Sequence, residues 1–170
     1  HEVLPKGQLG KVKRVPHAVK GRRAHPPKSQ KITVELINRK EHSRALASAL
    51  SFSADRETVC ARAHSDIGVS IPIVLESGFE KLSKAKDVQK VLGALNLDKF
   101  LDKAKRNGTR SALIVVSAGP VKKAAANLPG VDVVSARELR VRDLAPGTHP
   151  GRLTLFSENA IPEIAKRFEA

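Results

Sequence analysis

The sequence predicts an α/β body with three layers, in which helices cover both faces of a mainly parallel central sheet. Over residues 29–170, short apolar runs alternate with helical patterns, and the apolar residues within each run are nearly continuous. Strands that are exposed on one face alternate apolar and polar residues, whereas strands buried on both faces read as continuous apolar runs. Alternation of such strands with helices is typical of a parallel sheet.

An extended basic arm, residues 1–28, precedes this body. The arm holds eight Lys or Arg residues against one Glu, together with four Pro and three Gly, and it shows no apolar periodicity. Proline lacks an amide donor and glycine favours a flexible backbone, so no helix is predicted there. Half of the chain's net charge of +14 lies in the arm. This concentration predicts a polyanionic partner such as RNA or DNA, because bound phosphates release their counterions.

The first element of the body is predicted to be an amphipathic helix from Asn38 to about Ala54. Its apolar residues recur at spacings of three and four, and Asn38 is a suitable N-cap. The first turns of this helix are rich in basic residues. The pattern leaves open whether they face RNA or simply form a solvated surface.

Four strands are predicted from apolar, β-branched runs that Pro, Gly or Ser residues bound. They are Ile71 to Glu76, Ala112 to Val116, Val131 to Ser135 and Arg152 to Phe156. Helical spacing predicts the elements between and after them. These are a helix or helix pair from Phe79 to Leu95, a short helix from Pro120 to Asn127 and a last helix from Ile161 to Phe168, for which Ser157 and Asn159 are both candidate caps.

Several classes of function lack their sequence signatures. The chain has no phosphate-binding glycine loop and no nucleophile elbow, so we predict no catalytic residue and no small-molecule substrate. Its six His residues are scattered and Cys60 is its single cysteine, which predicts no metal site, no cofactor and no internal disulfide. The longest apolar runs are too short to span a membrane, so a soluble intracellular protein is expected.

The densest chemical feature of the arm is its last ten residues. Arg22 and Arg23 can bind phosphate oxygens bidentately, Lys20 and Lys28 add point charges, and Gly21 allows close approach of the backbone. A solubilising or targeting tail is the alternative interpretation. The interspersed Gly, Ala and Pro residues favour threading through folded RNA.

Several linked motifs resemble a known family. They are GRRAHPPK at residues 21–28, NRKE at 38–41, RALASAL at 44–50, NLPGVDVV at 127–134 and LAPGTHPGRLT at 144–154. In order, and over nearly all of the chain, they are similar to the archaeal and eukaryotic form of large-subunit ribosomal protein four. The resemblance implies an α/β body on the ribosomal surface and a long loop that penetrates the rRNA toward the peptide exit tunnel. It also implies a cytoplasmic location in the ribosome, with large-subunit rRNA and neighbouring ribosomal proteins as partners.

The chain departs from the family pattern at two places. The family has an additional N-terminal stretch that forms the outgoing limb of the loop, so the arm would be only the tip or the returning limb. The family also carries a longer connection where this chain reads from Lys105 to Ser111. Either this member has a shorter connection, or residues of the connection are missing from this sequence, and we favour the second interpretation. We also expect the full-length protein to contain residues before His1.

The predicted rRNA contacts follow from charge and position. In the arm they are Lys11, Lys13, Arg14, Lys20, Arg22, Arg23, His25 and Lys28, and weaker contacts from the body are Arg39, Lys40, Arg110 and Arg152. Two alternatives stay open: a free-standing regulatory module that binds nucleic acid, and an enzyme that modifies nucleotides or nucleic acid. The enzyme would need a concave polar site at the carboxyl ends of the strands.

Overall fold

The computed structural model describes residues 25–107 and 111–169. The chain divides into two units, and the second begins at Ile37. In the first unit, residues 25–36 form no helix or strand, and the Lys31 amide donates to the Lys28 carbonyl at 3.1 Å in a turn. Most of the predicted arm lies outside the described residues, so the boundary after residue 28 stays a prediction.

The second unit contains the helices and strands of the body. In chain order they are α1 (Arg39–Ala54), α2 (Arg56–Ala63), β1 (Ile73–Leu75), α3 (Ala85–Ala94), α4 (Asp98–Asn107), β2 (Ala112–Val116), α5 (Val121–Ala125), β3 (Val131–Ser135), α6 (Val141–Leu144), β4 (Thr154–Ser157) and α7 (Ala160–Glu169). Two short 3-10 helices, Ser77–Lys81 and Pro146–Thr148, lie in the connections.

The four strands form one sheet in which all neighbours are parallel, in the order β1-β4-β2-β3. The central strand β2 begins its pairing with β3 at Ala112, opposite Val131, and it pairs with β4 on its other side. This arrangement confirms the predicted α/β class and the parallel sheet.

Helices cover both faces of the sheet. Along β2, Ile114 belongs to a buried cluster with residues of α2, α3 and α5, whereas Leu113 and Val115 belong to a second cluster with residues of α1, α6 and α7. All three of these strand side chains are completely buried. The continuous apolar run of β2 therefore reflects two packed faces, and the predicted three layers are confirmed.

The observed elements differ from the predicted ones at several boundaries. Strand β1 begins after Pro72, since proline has no amide hydrogen to donate to a neighbouring strand. Strand β4 begins two residues later than predicted. The pattern from Phe79 to Leu95 is divided between a 3-10 helix and α3. Helices α2, α4 and α6 were not predicted.

Candidate nucleic-acid interface

The predicted contact residues fall into three groups. Lys11, Lys13, Arg14, Lys20, Arg22, Arg23 and Arg110 lie outside the described residues. His25 and Lys28 are exposed in the first unit, and Arg39 and Lys40 are exposed in the first turn of α1. Arg152 is buried in the body.

The amino end of α1 combines a capped turn with two exposed cations. Asn38 occupies the N-cap position, as predicted, and its amide donates to the Glu41 carboxylate at 3.4 Å. Cations in a first turn lie at the positive end of the helix dipole, where they do not stabilise the helix. Arg39 and Lys40 are therefore exposed cations at the end of the helix whose amides favour anions.

A groove of about 460 Å³ lies beside these cations, between α1 and α7. It is lined by Ile37, Arg39, His42, Ser43, Leu46, Arg167 and Phe168. Arg167 donates to the backbone carbonyls of Ala136 and Leu139, so its guanidinium links α7 to the connection after β3 by hydrogen bonds. Arg39 makes no ion pair with any residue in the described part of the chain, which leaves its guanidinium available to a ligand.

Arg152 has an internal role that the sequence did not indicate. Its side chain is 1% exposed, and Nη2 lies 2.7 Å from Oδ2 of Asp132. The same guanidinium donates to the backbone carbonyls of Ala112 and Asp143, each at 2.9 Å, and at 3.4 Å to that of Ser111. Because this cation is enclosed by internal acceptors, we correct the expectation that it contacts rRNA and leave it out of the interface.

The polar groups at the carboxyl ends of the strands bind one another. Glu80, after β1, accepts from the Ser117 amide at 2.8 Å and from the Asn159 side chain at 3.0 Å. The Ser117 hydroxyl donates to Glu163 of α7 at 2.5 Å, and Arg137 pairs with the same carboxylate at 3.5 Å. These contacts join the connections after β1, β2 and β4, where the enzyme alternative would need open polar groups.

The pKa of Glu80 is lowered from its usual value. Burial alone would raise the pKa of this carboxyl, but the hydrogen bonds from Asn159 and Ser117 favour the charged form and outweigh the burial. The ionised Glu80 carboxylate therefore links the connections after β2 and β4 at this edge of the sheet.

The described residues show neither a metal-binding cluster nor a helix that could span a membrane. Across residues 25–107 and 111–169, no group of three or more His, Cys, Asp or Glu side chains is placed to hold a metal ion. In the same ranges, none of the helices has both the length and the apolar character needed to cross a membrane.

Comparison with known proteins gives one consistent result. The family model described as "Ribosomal protein L4/L1 family" matches residues 8–167. The chain is 44% identical to "Large ribosomal subunit protein uL4" of Halorubrum lacusprofundi. The alignment extends over 172 residues and covers 91% of this chain and 69% of that protein. Proteins of the same name from Methanococcus maripaludis and Haloarcula marismortui are 48% and 38% identical, covering 91% and 96% of this chain and 68% and 72% of theirs.

Proposed function

The chain belongs to the ribosomal protein L4/L1 family, whose members are structural ribosomal proteins and are not known as enzymes, and from this premise we propose how it binds rRNA. As a member it is a constituent of the large ribosomal subunit. Its main rRNA contact is the basic arm, residues 1–28, which threads through the rRNA toward the peptide exit tunnel. Neighbouring ribosomal proteins are its further partners.

The observation that carries this proposal is the concentration of charge in the arm. The eight cations within 28 residues repel one another in water and only one Glu offsets them, whereas phosphates of folded RNA would neutralise them. The arm also contains four Pro and three Gly residues, a composition that suits an irregular path between RNA segments.

The body supplies a second, weaker contact. Arg39 and Lys40 are exposed in the first turn of α1, and the amides at the amino end of a helix favour anions. In this proposal the arm provides most of the affinity, and α1 fixes the position of the body on the RNA surface.

The experiment compares two variants that remove equal charge. The arm variant changes Lys20, Arg22, Arg23 and Lys28 to Gln. The control variant changes four exposed lysines of the body, Lys81, Lys84, Lys86 and Lys90, to Gln. Binding to large-subunit rRNA is measured across a salt series, with circular dichroism on the same samples.

If all four arm residues contact phosphates, the slope of log affinity against log salt becomes shallower by about 3, taking about 0.7–0.9 per contact. The control variant should change the slope by much less, although its net charge is the same. Equal slopes for the two variants, with the body folded in both, would show that the arm contributes only general charge.

A further inference from the structure

A cleft of about 670 Å³ opens at the amino-terminal edge of the sheet. It lies where α2, α4 and the connection before β4 meet Ser111, the residue before β2. Two cations and two histidines line it, namely Arg62, Lys103, His64 and His149. No Asp or Glu is among the described residues of its lining, so its charge is positive.

The backbone holds both cations in place. The Arg62 guanidinium donates to the carbonyls of Pro146, at 2.8 Å, and of His149. Nζ of Lys103 donates to the carbonyls of Ala63 and His64, at 3.2 and 3.3 Å. Carbonyl oxygens carry only partial charge, so these contacts fix the two cations without neutralising them.

The position of Arg62 is electrostatically unfavourable without an anion. Burial lowers the pKa of its guanidinium, and the nearby charge of Arg152 lowers it further. Arginine nevertheless stays protonated in proteins, so the cleft keeps a partly desolvated charge that an anionic ligand would stabilise.

Ser111 provides independent evidence of a ligand. It is 8% exposed, it lines the cleft, and its hydroxyl oxygen has no hydrogen-bond partner. A buried hydroxyl without a partner costs about 1–3 kcal/mol, and such groups in native proteins require an explanation. The hydroxyl is itself buried, so a rotation of the Ser111 side chain toward the cleft would let a ligand atom supply the missing partner.

The remaining wall of the cleft is apolar. Val59, Phe100, Pro150 and Leu153 contribute to it, and Phe100 offers a half-buried aromatic ring. The volume falls within the roughly 300–1,000 Å³ that is typical of small-ligand sites, so the cleft suits one compact group better than a duplex. A nucleotide combines a phosphate with a flat ring, and proteins often bind unstacked RNA bases against aromatic side chains.

We propose that this cleft binds a single unstacked nucleotide of RNA, an inference that rests on the RNA binding proposed above. Its phosphate lies against Arg62 and Lys103, its base lies against Phe100, and the Ser111 hydroxyl donates to a phosphate or ribose oxygen. The described residues that line the cleft include none from α1.

The experiment titrates the full chain with each of the four nucleoside 5′-monophosphates, and with inorganic phosphate, a nucleoside and a Glu-rich peptide as comparison probes. All titrations use the arm variant described above as background, which reduces the contribution of the arm by removing four of its eight cations. Binding is followed by amide chemical shifts in NMR spectra.

We expect at least one monophosphate to bind more tightly than phosphate or nucleoside, with the largest shifts at Arg62, Lys103 and Ser111. Ser111→Ala should weaken that binding by about tenfold, because a hydrogen bond to a charged group is lost. The unfolding free energy of Ser111→Ala should not fall below that of the parent, since the hydroxyl has no hydrogen-bond partner to lose. Ser157→Ala, a completely buried serine at the opposite edge of the sheet, is the matched control and should bind as the parent does.

Three results would overturn the proposal: no saturable binding, equal binding of phosphate and monophosphates, or unchanged binding in Ser111→Ala. Preference for the Glu-rich peptide would instead identify a protein contact. Failure of the arm proposal is distinguishable, because it appears in the salt dependence of rRNA binding and not in these titrations.

Discussion

Replacing Arg152 with Met should destabilise the body by about 3 kcal/mol while leaving its contacts with RNA unchanged. The Arg152 side chain is 1% exposed, and its guanidinium contacts Asp132 and three backbone carbonyls. Removing one partner of a buried ion pair costs about 3–5 kcal/mol. The side chain of Asp132 is 35% exposed, so water can replace part of what this carboxylate loses, which places the effect at the lower end of the range.

The measurement is urea denaturation of the parent, Arg152→Met and Arg152→Lys. The Lys variant keeps the charge but cannot donate to several acceptors as the planar guanidinium does. Its loss of unfolding free energy should therefore lie between zero and that of Arg152→Met. Arg142→Met is the control, because its side chain is 76% exposed, and a change within about 0.5 kcal/mol is expected. The stability of a typical domain is about 5–15 kcal/mol, so Arg152→Met should still fold and can be tested for RNA binding.

The salt dependence of RNA binding separates the two roles of Arg152. An internal residue should leave the slope of log affinity against log salt unchanged. If Arg152→Met keeps full stability and its slope becomes shallower by about 0.7–0.9, then Arg152 contacts a phosphate and its assignment to the interior is refuted.

Two further predictions concern the body. Gly151→Ala should destabilise it by more than 1 kcal/mol, because φ is +83° and a Cβ would lie 2.6 Å from the Thr58 carbonyl oxygen. Gly147→Ala is the control, because Gly147 has a similar φ of +72° but open space around a Cβ. Thermal unfolding should show a smaller loss of stability for Gly147→Ala than for Gly151→Ala. Equal losses of stability would argue against the close contact with Thr58. Glu80 has a lowered pKa, so its stabilising effect is present above the unfolded value of about 4.5 and is lost as the pH falls through the folded value. The unfolding free energy of Glu80→Gln should therefore depend less steeply on pH in this acidic range. If the unfolding free energies of variant and parent changed in parallel with pH, the ionised Glu80 would not stabilise the fold.

The sequence predicted the parts of the fold in which local pattern and burial agree. The predicted limits of β2 agree with the structure, because a strand covered on both faces is apolar at every position. The cap at Asn38 was also correct, because an N-cap depends on residues within one turn. The three-layer arrangement followed from the alternation of such strands with helices.

The missed helices have sparse or interrupted apolar patterns. Helix α2 buries only Val59 and Ala63, and its start depends on the Asp55 carboxylate, which accepts from two amides of the first turn. That cap was readable in the sequence. Helix α4 contains six charged residues among its ten, so helical spacing of apolar residues gives a weak signal there.

The candidate sites depend on contacts between distant parts of the chain. Arg152 is enclosed by carbonyls about 40 residues before it and by Asp132, 20 residues before it. Arg62 is held by carbonyls more than 80 residues after it. Charge and sequence position alone could not distinguish these enclosed cations from the exposed Arg39, because the distinction arises only when the layers pack.

Crosslinking within assembled large subunits shows directly whether the arm contacts rRNA. A photoreactive amino acid placed at Lys20 or Arg23 in the arm should crosslink to large-subunit rRNA, and sequencing of the linked RNA should identify positions along the path to the exit tunnel. The same group at Lys90, on an exposed face of α3, serves as the control and should give little or no RNA crosslinking. Efficient crosslinking to rRNA from Lys90, with none from either arm position, would show that the arm is not the main rRNA contact.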